Sequence, residues 1–438
     1  MKVDGLMSKF YFVGIKGAGM SALAQMLYDQ EYEVKGCDYE EDYYTTAGLK
    51  ERGIEIETFE NAKVDFLMTV IVGNAFLDHE FVINLRKKHY DVFSYSEFLG
   101  KLSKEFYSIA ISGTHGKTTT TNLCRQVLAQ HEPLNYVIGD GLGGGNRLSK
   151  DLIFEACEYK RHFLHYFPQI AIITNIDYDH PDYYKDIHDV KSAFKDFINN
   201  SHYLIYNGDD LYLRELAQFV EKKMSYGLNE ENDFYAKNIH NDEEYTYFDV
   251  YCKGKFFGEA IIPLFGKHNV YNSLAAIALG LYMGVNKKDI LNGLKKYLSS
   301  KRRFEIFKTK EQIIVSDYAH HPTEIKATHE ALRLKFPNKQ IICIFEPHTY
   351  SRTKQFVHEF KEALELFDRI YLKDIFTSVR EHDATIKITD LASEIKDCEV
   401  ITDLDSLEIH KNAVLVFMGA GNIDKTAKIY YNNLITNS

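Results

Sequence analysis

The chain has 438 residues, 45% of them apolar and 26% charged, with a formal net charge of −11. That length carries two to four domains with ample core. The acidic balance, with no Lys/Arg block, argues against nucleic acid as a ligand. Six scattered cysteines without a C-x-x-C pair predict reduced thiols in a cytoplasmic protein. No signal-peptide pattern opens the chain, and no apolar run approaches a membrane span.

In chain order, a first block opens with a strand over Phe10–Val13, a glycine turn and a helix over about Met20–Asp29. Strands follow at Glu33–Gly36, ending at Asp38, and at Phe66–Val72. Short apolar strands alternating with helices predict a parallel, doubly wound sheet. A second block starts near Ser103, with an apolar run at Tyr107–Ile111 and strands at Asp151–Ala156 and Ile170–Thr174. Helices are predicted over Val190–Ile198, Leu211–Glu221, Asn269–Leu281 and Lys288–Leu298. The alternating Tyr245–Leu264 segment, with Lys253-Gly254-Lys255 inside it, predicts a hairpin. The acidic Asn229–Glu244 stretch reads as a solvated surface excursion. From Lys301 onward, strands at Ile313–Ser316, Ile341–Phe345, Arg369–Leu372 and Val414–Met418 again alternate with helices. The expectation is an α/β chain of three domains, over residues 1–102, 103–300 and 301–438.

The strongest motif is Gly113-Thr114-His115-Gly116-Lys117-Thr118-Thr119-Thr120, between a strand and a helix. Such a loop aims backbone N–H groups and a lysine at phosphates and offers a hydroxyl to Mg²⁺. The usual early glycine of a P-loop would fall at Ile111; here it is Gly113, so the loop is short. Lys117 is assigned to the β/γ-phosphates and Thr118 to the metal. Gly14-Ile15-Lys16-Gly17-Ala18-Gly19, with Asp38 about twenty residues on, outlines a second phosphate-binding turn. Lys16 stands where a dinucleotide turn needs glycine for close approach, which favours some other diphosphate ligand over a nicotinamide cofactor.

Other motifs fall at strand ends, where open parallel sheets collect ligands. Glu158, in Glu155-Ala-Cys-Glu158, and His180, in Asn175-Ile-Asp-Tyr-Asp-His180, are placed to converge on the metal and γ-phosphate. Asn269 and Asn272 lie three apart on one helix face, where their amides could read a purine or cap the helix. Arg303, at the second domain boundary, could clamp the nucleotide. The turns Asp317-Tyr-Ala-His320-His321-Pro322-Thr-Glu324 and Glu346-Pro-His348-Thr349-Tyr-Ser-Arg352-Thr353 should share one edge of the third sheet.

Taken in order along nearly the whole chain, these residues resemble the Mur ligases, the ATP-dependent amide-forming enzymes of peptidoglycan precursor synthesis. His115 and the His320-His321-Pro322-Thr323-Glu324 run are most similar to the branch that adds L-alanine to UDP-N-acetylmuramate. A branch that joins a preformed tripeptide to the same sugar nucleotide shares the double histidine; the 347–353 stretch favours the alanine-adding one. The resemblance implies a doubly wound N-terminal domain holding the UDP-sugar, a central P-loop domain holding ATP and Mg²⁺, and a Rossmann-like C-terminal domain closing over both. By position, Gly14, Lys16, Gly17, Ala18, Gly19, Met20 and Asp38 would meet the UDP-sugar. Residues Gly113 to Thr119, with Asn269, Asn272, Arg303 and Asp317, would meet ATP. Thr118, Glu158 and His180 would serve two Mg²⁺ ions, and Lys117, His180, His321 and Arg352 the chemistry. His321 and Arg352 would face the alanine and the reacting carboxylate, with His321 taking the amine's proton. Thr349 stands where many members carry arginine, which shifts that burden to Arg352. The implied protein is a cytoplasmic monomer or weak homodimer.

Overall fold

The structure, a computed structural model, describes residues 9–298, 302–377 and 386–436. The domain boundary expected at 300/301 lies outside the described residues. Three sheets organise the chain. The first comprises β1 (Lys9–Val13), β2 (Glu33–Cys37), β3 (Glu55–Glu57), β4 (Thr69–Val72) and β5 (Val92–Ser94). Its order is β3-β2-β1-β4-β5 and every pairing is parallel. Helices α1 (Ala18–Asp29), α2 (Thr46–Glu51), α3 (Glu80–Lys87) and α4 (Tyr95–Ser103) connect the strands. Thr69-Val-Ile-Val is buried throughout, as a strand covered on both faces must be. The strand predicted from Phe66 begins only at Thr69; Phe66 and Leu67 are exposed.

The second sheet has ten strands, and the phosphate-loop strand lies within its parallel part. Its members are β6 (Tyr107–Ser112), β7 (Asn135–Val137), β8 (Gly143–Gly144), β9 (Asp151–Glu155), β10 (Ile170–Ile173), β11 (Tyr203–Asn207), β12 (Lys223–Gly227), β13 (Phe234–Asn241), β14 (Thr246–Cys252) and β15 (Lys255–Ile262). The order is β15-β14-β13-β12-β11-β10-β6-β9-β7-β8. Helices α5 (Lys117–Leu128), α6 (Ile187–Asn199), α7 (Leu211–Ala217), α8 (Lys267–Tyr282) and α9 (Lys287–Lys295) belong to this unit. The predicted hairpin is β14–β15. The expected surface excursion is corrected: β13 runs through it, with Phe234, Tyr235 and Ala236 buried. Those three apolar residues pair with β12 and β14, and the acidic flanks masked them in the sequence.

The third sheet, β16 (Glu305–Lys308), β17 (Ile313–Asp317), β18 (Ile341–Phe345), β19 (Arg369–Leu372), β20 (Cys398–Val400) and β21 (Val414–Met418), has the order β16-β17-β21-β18-β19-β20. Only β16 pairs antiparallel. Its helices are α10 (Pro322–Lys335), α11 (Tyr350–Gln355), α12 (Val357–Leu364), α13 (Ile388–Glu394) and α14 (Ile423–Thr436). The N-terminal and middle domains meet along α1, whose residues Met20 to Leu27 are all buried. Gly143 makes that contact possible, since a Cβ there would sit 1.8 Å from the Ala22 carbonyl oxygen. No helix among the described residues is long and apolar enough to cross a membrane.

Candidate active site

The phosphate loop leaves β6 at Ser112 and enters α5 at Lys117. Gly113 has φ +137°, and a Cβ there would lie 2.0 Å from Thr174 Oγ1. That close packing fixes the shortened loop. Thr174 Oγ1 donates to the His115 carbonyl at 2.6 Å, and Asn175 Oδ1 accepts from the His115 N–H at 2.9 Å. No side chain caps α5, so its first backbone N–H groups are left for a ligand. Lys117 Nζ donates to the carbonyls of Gly113 (2.5 Å) and Thr114 (3.0 Å) and to Glu158 Oε2 (2.8 Å). Burial opposes its charge, but Glu158 outweighs burial and raises its pKa.

Glu158 is 2% exposed, and His180 Nε2 lies 3.6 Å from its Oε1. Lys117 and His180 overcome burial and hold this carboxyl below its ordinary value. His180 has φ +56° and its ring leans on Tyr159 at 4.5 Å between centroids. Thr118 Oγ1 donates to Glu155 Oε2 at 3.2 Å. The sequence assigns Thr118, Glu158 and His180 to the metal; the structure brings Glu155 to the same group. Its signal was the Glu-x-x-Glu spacing at the end of β9. A hydroxyl and two carboxylates suit the hard, oxygen-seeking Mg²⁺.

The third domain closes against this site. Asp179, one residue before His180, receives Arg352 Nε at 2.9 Å and Nη2 at 3.3 Å, and both side chains are almost wholly buried. Burial disfavours the Asp179 charge, yet Arg352 holds its pKa well below the ordinary carboxylate range. Arg352 therefore points at the loop that carries His180. His321, expected to face the substrate, uses its Nδ1 to cap α10 by accepting from the Thr323 N–H, and its ring packs on His115, 4.7 Å between centroids. Burial first, then the His115 charge, push His321 down to about 4. His320 instead faces Tyr318 and His348, at ring separations of 5.2 and 6.1 Å.

Between the phosphate loop and α10 lies a cavity of about 340 Å³, lined by Gly116, Thr119, Asn269, Asn272, Arg303 and Asp317 among others. All six are sequence-predicted nucleotide contacts. Asn272 Nδ2 donates to Asn269 Oδ1 at 3.2 Å, and Asn269 Nδ2 donates to the Phe265 carbonyl at 2.8 Å. Both amides thus line the pocket while bracing α8. His268 is pushed down to about 4, chiefly by burial, and serves there as a neutral ring. Asp317 accepts from the N–H groups of Phe304 and Ala319, and burial raises its pKa against the pull of Arg303. The sequence motifs contain Asp177, Asp179 and Glu324 but assign them no role, because a carboxylate in a polar turn does not show its partner.

At the first glycine turn, Gly17 precedes α1 without a side-chain cap, leaving backbone N–H groups around Ala18, Gly19 and Met20. Gly14 N–H closes the turn onto the Cys37 carbonyl. Lys16 was expected to bring charge to a diphosphate. Its ammonium instead donates to the carbonyls of Tyr39 (2.5 Å), Glu41 (2.8 Å) and Glu40 (3.2 Å). Asp38 accepts from the backbone N–H groups of Lys16 and Tyr39, both at 2.8 Å, and burial raises its pKa.

Comparison with known proteins fits this arrangement. Residues 9–107 match the Mur ligase family catalytic domain, 111–280 the Mur ligase middle domain, and 302–421 the Mur ligase glutamate ligase domain. The fold is similar to the UDP-N-acetylmuramate-alanine ligase of Thermotoga maritima, with TM-score 0.82 and 25% identity over 98% of this chain and 100% of that one. It is also similar to a murein peptide ligase of Psychrobacter arcticus (TM-score 0.69, 21% identity, 98% and 99% covered). A third similar structure is the MurF ligase of Thermotoga maritima in complex with ADP (TM-score 0.69, 16% identity, 99% and 100% covered). With three domain matches in order along the chain, it belongs to the Mur ligase family of ATP-dependent amide-bond ligases.

Proposed function

We propose that this chain joins L-alanine to the carboxylate of UDP-N-acetylmuramate, with ATP converted to ADP and phosphate. The observation that carries the reading is the convergence of Lys117, Glu158 and His180 with the 317–324 and 346–353 turns of the third domain around one closed cleft. The alanine ligase of Thermotoga maritima, similar over both whole chains, supports alanine as the amine.

A carboxylate at neutral pH is a poor electrophile. Transfer of the γ-phosphoryl group to it gives an acyl phosphate, which the amine attacks with loss of phosphate. Catalysis of such a transfer is mostly positioning and charge neutralisation. Lys117 supplies a fixed cation from the loop. Thr118, Glu155, Glu158 and His180 would hold Mg²⁺, as two ions, which neutralises charge on the phosphates when bound. The N–H groups at the start of α1 would hold the diphosphate of the UDP-sugar. An acyl phosphate must be kept from water, and the buried Asp179–Arg352 pair supports a site shut by the third domain. For the amine's proton, His321 is a weak base in its buried cap, where its Nδ1 already accepts from the Thr323 N–H.

Phosphate release measured with ATP, UDP-N-acetylmuramate and single amine substrates tests the reading. L-alanine should give turnover. Turnover with an L-alanyl tripeptide and none with L-alanine would instead assign the murein peptide ligase activity, to which the Psychrobacter arcticus structure points.

A further inference from the structure

We propose that Glu324 is a positioning residue that seats the third domain on the phosphate loop through His115. The proposal rests on the ligase reading above and adds to it a physical link between the nucleotide and amine sides of the cleft. His115 Nε2 lies 3.1 Å from Asp177 Oδ2, and its Nδ1 lies 3.4 Å from Glu324 Oε1. Ionised carboxylates only accept hydrogen bonds, so a ring with one at each nitrogen carries both protons and is an imidazolium. Asp177 belongs to the middle domain and Glu324 to the third, so this cation bridges the two. Thr323 Oγ1 reinforces the bridge, donating to Asp177 Oδ2 at 2.8 Å. The second oxygen of Glu324 accepts from the backbone N–H groups of His320 and His321, at 3.0 and 3.3 Å, and lies 3.1 Å from His320 Nδ1. One carboxylate thereby ties the phosphate loop, the start of α10 and the His320 ring.

The electrostatics agree with the geometry. Burial opposes the His115 charge, yet Asp177 and Glu324 outweigh it and hold the imidazole up at about 9. Glu324 is held well below its ordinary value despite burial, with His320 the largest opposing influence. Donor atoms of His115, Asp177 and His321 all lie within 4.8 Å of one another. A ring that keeps both protons has no lone pair for a metal, so the cluster works as a charged clasp. Because His115 sits between Thr114 and Gly116, a triphosphate that orders the loop also orders the clasp.

His115→Gln, Glu324→Gln and the double variant test the link; glutamine at 324 keeps the helix cap and removes the charge. Steady-state kinetics should show kcat lower by about 10- to 100-fold in each single variant, the size of a small misplacement of reacting groups, with any rise in KM for ATP smaller than that fall. The double variant should be no slower than the slower single one, since both break one bridge. Small-angle scattering with a non-hydrolysable ATP analogue should give a larger radius of gyration for each variant than for the unsubstituted protein. Losses that multiply in the double variant, or KM for ATP rising while kcat holds, would overturn the proposal, as would unchanged scattering. Failure of the unsubstituted protein to turn over any amine would count against the ligase reading alone, because scattering reads the bridge without turnover.

Discussion

The first glycine turn and the phosphate loop are the same device in outline: a central parallel strand, a tight turn with a lysine, and an uncapped helix at the carboxyl edge of a sheet. They part in where the lysine goes. Lys117 stays over its own loop, bonded to Gly113, Thr114 and Glu158, so its charge lies beside a buried carboxylate. Lys16 leaves its turn and is consumed by three carbonyls of the 39–41 loop. A phosphate at the first turn therefore meets backbone N–H groups and a helix end, whereas one at the second meets a lysine ammonium held over the loop as well. Holding a diphosphate and transferring a phosphoryl group make different demands, and the second calls for a preorganised cation where charge develops.

Substitutions of the two lysines should separate these roles. Lys117→Ala should lower turnover by at least about 10²- to 10³-fold, the cost of losing one preorganised charge donor, and leave UDP-sugar affinity intact by calorimetry. Loss of UDP-sugar binding in that folded variant would erase the distinction. Glu158→Gln should raise the Mg²⁺ concentration needed for half-maximal turnover, roughly 10- to 100-fold, and a Mg²⁺ titration of the rate measures it. Lys16→Met leaves three carbonyls short of a donor and should cost about 1–3 kcal/mol in a denaturant melt. The salt dependence of UDP-sugar binding should be unchanged in that variant; a weaker salt dependence would return Lys16 to the diphosphate.

The smallest effect concerns pH. His115 has its pKa raised from 6.5 to about 9 in the folded protein. Its contribution to stability is therefore full below pH 6.5 and lost as pH rises through about 9. Asp177, lowered to about 2, contributes above pH 3.8 and loses that contribution as pH falls through 2. Melting temperature should fall between pH 6.5 and 9.5 by more in the unsubstituted protein than in His115→Gln, with about 2–4 °C for each kcal/mol lost.

Much of this arrangement is written locally in the chain. Buried parallel strands such as Ile341–Phe345 and Val414–Met418 are continuous apolar runs, and their bounds follow from composition alone. The phosphate loop is legible because glycine, lysine and threonine must stand at fixed spacing. β13 was not, since its pairing comes from β12 and β14 while its own flanks are acidic. The placement of Lys16, His321 and Arg352 was not legible either. Lys16 and Arg352 end on partners 23 and 173 residues away and His321 on a cap of its own helix, and residue type alone does not choose among acceptors. Asp179 and Glu324 share that history: their weight comes from Arg352 and His115, supplied by another domain.

The central claim is that this cleft makes the substrate carboxylate an acyl phosphate, which the amine then attacks. UDP-N-acetylmuramate carrying oxygen-18 in its lactyl carboxylate, incubated with ATP, Mg²⁺ and L-alanine, tests it most directly by mass spectrometry of the released phosphate. One labelled oxygen transferred to each phosphate is the predicted result. Unlabelled phosphate, released at the same rate as amide, would contradict the account.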